Sequence, residues 1–231
     1  MCAKSSCLSD FINYLINTTS QSNNGRLPSL TELSQKTGIS VASLREQLEV
    51  AKVLGFVEAR PKIGIRRLPY SFRPAVRQSV TYAVSIAPET FQGFSDMRNR
   101  LEAAYWYQAV ELLTPEDMQQ LRMFVQRAKN KLSKDPVQIP HIEHRNLHLT
   151  IFSRLNNPFV IGFLEAYWDV YEAIGMDVYT DYSYLQRVWE YHDRMVEAIA
   201  SGDYSSGHQA LIDHMALIKQ RSQPSSRQRF E

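Results

Sequence analysis

The sequence predicts a mainly α chain in two parts: an N-terminal winged helix-turn-helix, then an all-helical bundle of six or seven helices. Three observations predict it. Between Arg26 and Arg67, two helix-capping signals flank a glycine corner, and a strand, turn, strand pattern follows. Beyond residue 70, apolar residues recur at helical spacing and no stretch alternates with a period of two. Between the parts, Leu68-Pro69-Tyr70-Ser71-Phe72-Arg73-Pro74 carries two prolines, which forbid a continuous helix and mark a linker.

The elements follow in order. Leu8, Phe11, Ile12, Leu15 and Ile16 fall at helical spacing around Ser9, so a first amphipathic helix covers 9–18, and the polar stretch to Asn24 is a loop. Ser29 followed by Glu32 is a capping box, in which hydroxyl and carboxylate each satisfy an orphan amide of a helix start. Leu33 of that helix points inward, Thr37-Gly38 ends it, Ile39 plugs the corner, and Ser40 caps a second helix. On the second helix Leu44, Leu48 and Ala51 share the core face, which leaves Ser40, Val41, Ala42, Ser43 and Arg45 facing forward at its N-terminal end. Such a helix reads base edges in a DNA major groove with its first residues. Gly55 stops it, and Phe56 to Arg60, Pro61 to Gly64 and Ile65 to Leu68 form a hairpin wing that carries Lys62, Gly64 and Arg66. Gly64 lets the backbone approach a minor groove closely.

In the second part, Val76, Val80, Ala83 and Val84 indicate a helix that ends near Pro88. A long segment from Phe91 to Leu113 carries Met97, Leu101, Ala104 and Tyr105 on one side. Thr114-Pro115-Glu116-Asp117 then starts a helix to about Ser133. Further helices are expected over 141–155, from Phe159 to about Val178, over 184–201 and over 204–221. The expected layout is a winged domain at 1–70, a linker and connecting helix at 71–88, a helical domain at 89–221 and a disordered tail at 222–231, where Ser, Gln, Pro and Arg dominate.

Composition narrows the class. With 44% hydrophobic and 22% charged residues, the 231-residue chain buries an ordinary core. The net charge of +2 is unevenly spread: residues 1–77 hold 11 Lys+Arg against 5 Asp+Glu, so the remainder is mildly acidic. A basic head on an acidic body fits double-stranded nucleic acid as a partner of the head alone. Cys2 and Cys7 provide no disulfide framework, and no apolar run approaches the roughly 18 residues of a transmembrane helix. The expectation is a cytoplasmic protein with no membrane partner.

The histidines carry the chemistry of the second part. His144 and His148, four apart, share one helix face; His192 and His214 sit on the last two helices. Imidazoles converging inside a bundle suit a divalent transition metal, zinc or nickel before manganese. Spacing alone is equally met by hydrogen-bonded core histidines. Arg98 and Glu102, at i and i+4, read either as a surface ion pair or as a pocket pair.

Residues 25–65 resemble the N-terminal domain of GntR-family transcription regulators. The matching features are a glycine-led L-P-S start ending at Ser29, a recognition helix over Gly38 to Leu48 and a Gly-tipped wing at Lys62 to Ile65. The resemblance adds Arg26 to the DNA contacts. It also marks a departure: Val41 stands where the family has an arginine able to grip guanine, so a different operator is implied. Residues 90–221 resemble the FCD ligand-binding domain of the FadR subfamily. The carriers are Met97-Arg98-x-x-Leu101-Glu102, His144-x-x-Leu147-His148, Asn157-Pro158 and the run from His192 to Asp203 with His214. What this resemblance implies is a bacterial homodimer on a pseudo-palindromic operator, controlled by a small carboxylate or an acyl thioester. Its metal site takes one Asp and three His; here His148, His192 and His214 match the histidines and His144 occupies the Asp position. Arg98 and Glu102 become effector-pocket residues, with Tyr167 and Tyr171 where small-acid regulators carry arginines. Two other readings stand beside it, a regulator that has lost small-molecule sensing and a metal-dependent hydrolase. No catalytic residue is expected; Glu143, adjacent to His144 in sequence, sits about 100° round the helix from it, which argues against the hydrolase.

Overall fold

Side-chain caps set the helices of the N-terminal part. The computed structural model describes residues 8–18, 25–175 and 181–221 and divides into two units, residues 1–78 and 79–231. In the first unit, Ser9 caps α1 (Asp10–Asn17). The Ser29 amide donates to Glu32 Oε2 at 2.7 Å and the Glu32 amide donates to Ser29 Oγ at 3.3 Å, which closes the capping box of α2 (Leu30–Thr37). Gly38, at φ +75°, turns the chain into Ser40, whose hydroxyl caps α3 (Val41–Val53). Strands β1 (Val57–Arg60) and β2 (Gly64–Arg67) pair antiparallel, Val57 opposite Arg67 and Arg60 opposite Gly64. Phe11, Leu15, Leu33, Leu44, Leu48, Ala51, Val57 and Ile65 form one core. Leu33 is fully enclosed, so truncation there would cost about 2–5 kcal/mol. Leu8 and Ile16 of the expected α1 stripe stay exposed.

After α4 (Arg73–Ile86), the second unit is built from six helices: α5 (Thr90–Val110), α6 (Pro115–Leu132), α7 (His141–Phe152), α8 (Pro158–Ala173), α9 (Tyr182–Ser201) and α10 (Tyr204–Arg221). The only sheet among the described residues is the hairpin. Trp106, Leu121, Leu147, Ile151, Met195 and Leu211 anchor the bundle core. Trp106 Nε1 donates to Tyr204 O at 2.8 Å, and a Cβ on Gly207 would stand 2.7 Å from the Trp106 ring, so glycine lets α10 close on α5.

Two expectations are corrected. On α5 the buried face is Phe91, Phe94, Ser95, Arg98, Asn99, Glu102 and Trp106, while Met97 is 58% exposed and Ala104 also faces out. Apolar periodicity misplaced that face because polar side chains turn inward. Helix α8 ends at Ala173, not near Val178, since Gly175 takes φ +74° and breaks the helical path. Residues 176–178 of that expected helix, Cys2, Cys7, most of the 18–24 loop and the 222–231 tail lie outside the described residues.

A candidate nucleic-acid interface and a buried imidazole cluster

The forward end of α3 presents Arg45 and Ala42 to solvent and leaves Val41 and Ser43 half-buried. Ser40 is occupied by its cap, its Oγ accepting from the Ser43 amide at 3.2 Å. Ser43 Oγ in turn accepts from Gln47 Nε2 at 3.1 Å, and Gln47 Oε1 accepts from the Phe11 amide at 2.8 Å. Gln47, which sequence reasoning passed over, therefore ties the recognition helix to α1.

On the wing, Lys62 at φ +67° and Gly64 at φ +83° shape the tip. Arg26 forms an isolated backbone bridge to Arg66, and its guanidinium lies 3.8 Å from where a Gly64 Cβ would stand. Arg26, Gly64 and Arg66 are thus brought together at one edge, with Lys62 at the tip. Not every wing cation joins them: Arg67 turns inward to Leu15 O and Thr18 Oγ1, and Arg60 pairs with Glu58 at 3.0 Å.

In the second unit, the four histidines singled out from spacing meet. Helix α7 supplies His144 and His148, α9 supplies His192 and α10 supplies His214, and one ring nitrogen from each lies within 4.8 Å of the others. The closest approach, His148 Nε2 to His192 Nε2, is 3.0 Å. His148, His192 and His214 are fully buried, and burial holds their pKa well below the usual imidazole value, with neighbouring cationic groups adding to the effect. Neutral rings with lone pairs turned inward are what a metal requires. Both ring nitrogens of His214 and Nδ1 of His192 find no protein partner; an ion would account for one nitrogen of each ring. These residues fit a divalent transition ion.

Beneath the rings, Arg98 and Glu102 are 1% and 0% exposed, so the surface ion-pair reading is set aside. Arg98 Nε donates to Glu102 Oε1 at 2.8 Å. Burial pushes the Glu102 carboxyl up and Arg98 pulls it back. Removing either partner would strand a charge, at a cost on the order of 3–5 kcal/mol. Glu102 Oε2 lies 3.2 Å from His148 Nδ1, though not aligned as a hydrogen bond, and this leaves His148 Nε2 for the cluster. Tyr167 lies beneath the Arg98 guanidinium at 5.1 Å, and Tyr171 stands 6.0 Å from Tyr167 and 6.5 Å from His144, ring to ring. Asn99, whose Oδ1 accepts from Arg98 Nη1 at 3.2 Å, went unnoticed in the sequence. Ser95, Asn99 and Glu102 recur at helical spacing beside Arg98, and that polar stripe among aromatics was the available signal. Glu143 is not in the cluster; its carboxylate accepts from Lys131 at 2.8 Å.

Residues 94–217 match the FCD domain family. The chain is 21% identical over 196 residues to a Bacillus subtilis (strain 168) protein named "Uncharacterized HTH-type transcriptional regulator YcbG", covering 85% of this chain and 80% of that one. It is 22% identical over 201 residues to an Escherichia coli (strain K12) protein named "Putative L-lactate dehydrogenase operon regulatory protein", covering 84% and 76%. Among solved structures, Streptococcus agalactiae GntR superposes with a TM-score of 0.63 at 17% identity, over 92% of this chain and 97% of that one, a likeness of fold.

Proposed function

Because the chain belongs to the FCD-domain family and is a DNA-binding transcription regulator of the GntR type, we propose that it acts as a homodimer on a pseudo-palindromic operator under control of a small acidic effector. The observation that carries the reading is the pairing of a capped, forward-facing α3 and basic wing in one unit with converging buried imidazoles in the other. Arg45, with Val41, Ala42, Ser43 and the helix start at Ser40, reads the major groove. Lys62, Gly64, Arg66 and Arg26 take the backbone and minor groove. Two symmetric heads match two half-sites. Valine in place of an arginine at residue 41 offers an apolar contact to a thymine methyl and shifts operator preference.

In the helical unit, His144, His148, His192 and His214 hold a divalent transition ion, zinc or nickel before manganese. When bound, the ion supplies a positive anchor for a carboxylate. Arg98 holds the same anion through Nη2, since Nε and Nη1 are engaged by Glu102 and Asn99; Glu102 fixes Arg98 and orients His148, and Tyr167 and Tyr171 bound the space around it. The effector works by binding DNA-competent and incompetent arrangements of the dimer unequally. The pairing of Glu143 with Lys131 tells against a hydrolase, because that carboxylate is not available to activate water at the imidazoles.

The test is selection of genomic fragments with the purified protein, followed by gel retardation across a salt series. A sequence-specific, salt-sensitive complex is expected, and its absence would sink the reading. Arg45→Ala should abolish specific retardation with the thermal melt unchanged, and full specific binding by that variant would remove Arg45 from the reading surface.

A further inference from the structure

Gln47, one helical turn beyond Ser43 on α3, makes two hydrogen bonds whose directions are fixed by chemistry. Its Oε1 accepts from the Phe11 amide at 2.8 Å, and a backbone N–H can only donate, so the oxygen end of the side-chain amide must face α1. The amino end is thereby turned to Ser43 Oγ, to which Nε2 donates at 3.1 Å. That bond takes one lone pair of the hydroxyl. The hydroxyl hydrogen is left over, and no acceptor takes it among the described residues. Accepting a hydrogen bond also polarises the O–H and makes it a better donor. Both residues are half-buried, Ser43 at the N-terminal end of α3 that faces the duplex in the reading above.

We propose that Gln47 is a positioning residue for operator choice: it holds the Ser43 hydroxyl as a hydrogen-bond donor to an acceptor on a base edge in the major groove. This rests on the DNA-reading role proposed for α3 above and adds the direction of one contact. Guanine offers two acceptors in that groove, N7 and O6, while cytosine offers only its N4 amino donor. At the position that Ser43 meets, guanine is therefore favoured and cytosine disfavoured. A serine free to rotate takes either base, so the discrimination comes from Gln47.

The test is selection of binding sites from a randomised operator library with the full chain as wild type, Ser43→Ala, Gln47→Glu and Gln47→Met, each below its melting temperature and read as base frequencies. Wild type should favour guanine over cytosine at one position of each half-site by about five-fold, the effect of one hydrogen bond. Ser43→Ala should flatten that position alone. Gln47→Glu keeps an oxygen for the Phe11 amide but makes the other end an acceptor. The hydroxyl then donates to the carboxylate and offers only lone pairs to the groove, so the preference at that position should move to cytosine or adenine, whose amino groups donate. Gln47→Met loses both bonds and should flatten the same position. A residue that only braced α1 would lower the melt and weaken all sites alike, with base frequencies unchanged. Wild-type frequencies at every position in Ser43→Ala, or the wild-type preference retained in the two Gln47 variants, would each overturn the proposal. Failure of the wild-type chain to select any site would instead overturn the regulator reading, so the two failures are separable.

Discussion

Lys62 holds φ +67° at the tip of the wing, a left-handed conformation that a side chain with a Cβ adopts at a cost of order 1 kcal/mol. The proposed phosphate contact gives a strained cation at an exposed tip a use for its charge. Lys62→Gly should leave the melt equal or slightly higher while weakening binding to any duplex and lowering the salt slope by about one; unchanged salt dependence would show that Lys62 meets no phosphate. The histidines were legible through the family resemblance, since their spacing by itself suits hydrogen-bonded core residues as well; the structure brings the four rings together. Arg98 and Glu102 at i and i+4 fit a surface as well as an interior, and only their burial decides.

At the scale of elements, local rules read well wherever the signal was local. Ser29 with Glu32, Ser40 and Thr114 with Asp117 all cap as the sequence indicates. The outward placement of Met97 and the early end of α8 were missed, because packing partners and a single glycine decide them. Asp117 goes beyond its cap: Arg154 on the loop after α7 donates to both its oxygens, at 2.8 and 3.1 Å, and holds its pKa down to about 2. A depressed carboxyl contributes stability that is present above its unfolded value near 3.9 and lost as pH falls through about 2. Asp117→Asn should therefore be less stable than wild type at neutral pH, with the gap closing between about pH 4 and pH 2. A gap that stays constant across that window, followed by circular dichroism, would mean the ion pair contributes nothing.

For the molecule as a whole, each unit has its own core, and an ion held by α7, α9 and α10 would stabilise the second unit by mass action. Zinc at one hundred times its dissociation constant should add about 2.7 kcal/mol, seen as an upward shift of that unit's melt. His148→Ala combined with His214→Ala should erase the zinc-dependent shift and strip any co-purifying ion; retention of a stoichiometric ion would show that other residues bind it. The asymmetry of charge, basic before residue 78 and acidic after it, was visible in composition and agrees with the division of labour proposed.

Gln47 accepts from the α1 backbone at Phe11, and Arg67 grips the other end of the same helix at Leu15 and Thr18. A load on α1, such as a purification handle or a fluorophore fused ahead of Ser9, is therefore felt through one amide and one guanidinium by the recognition helix and wing proposed to meet the duplex.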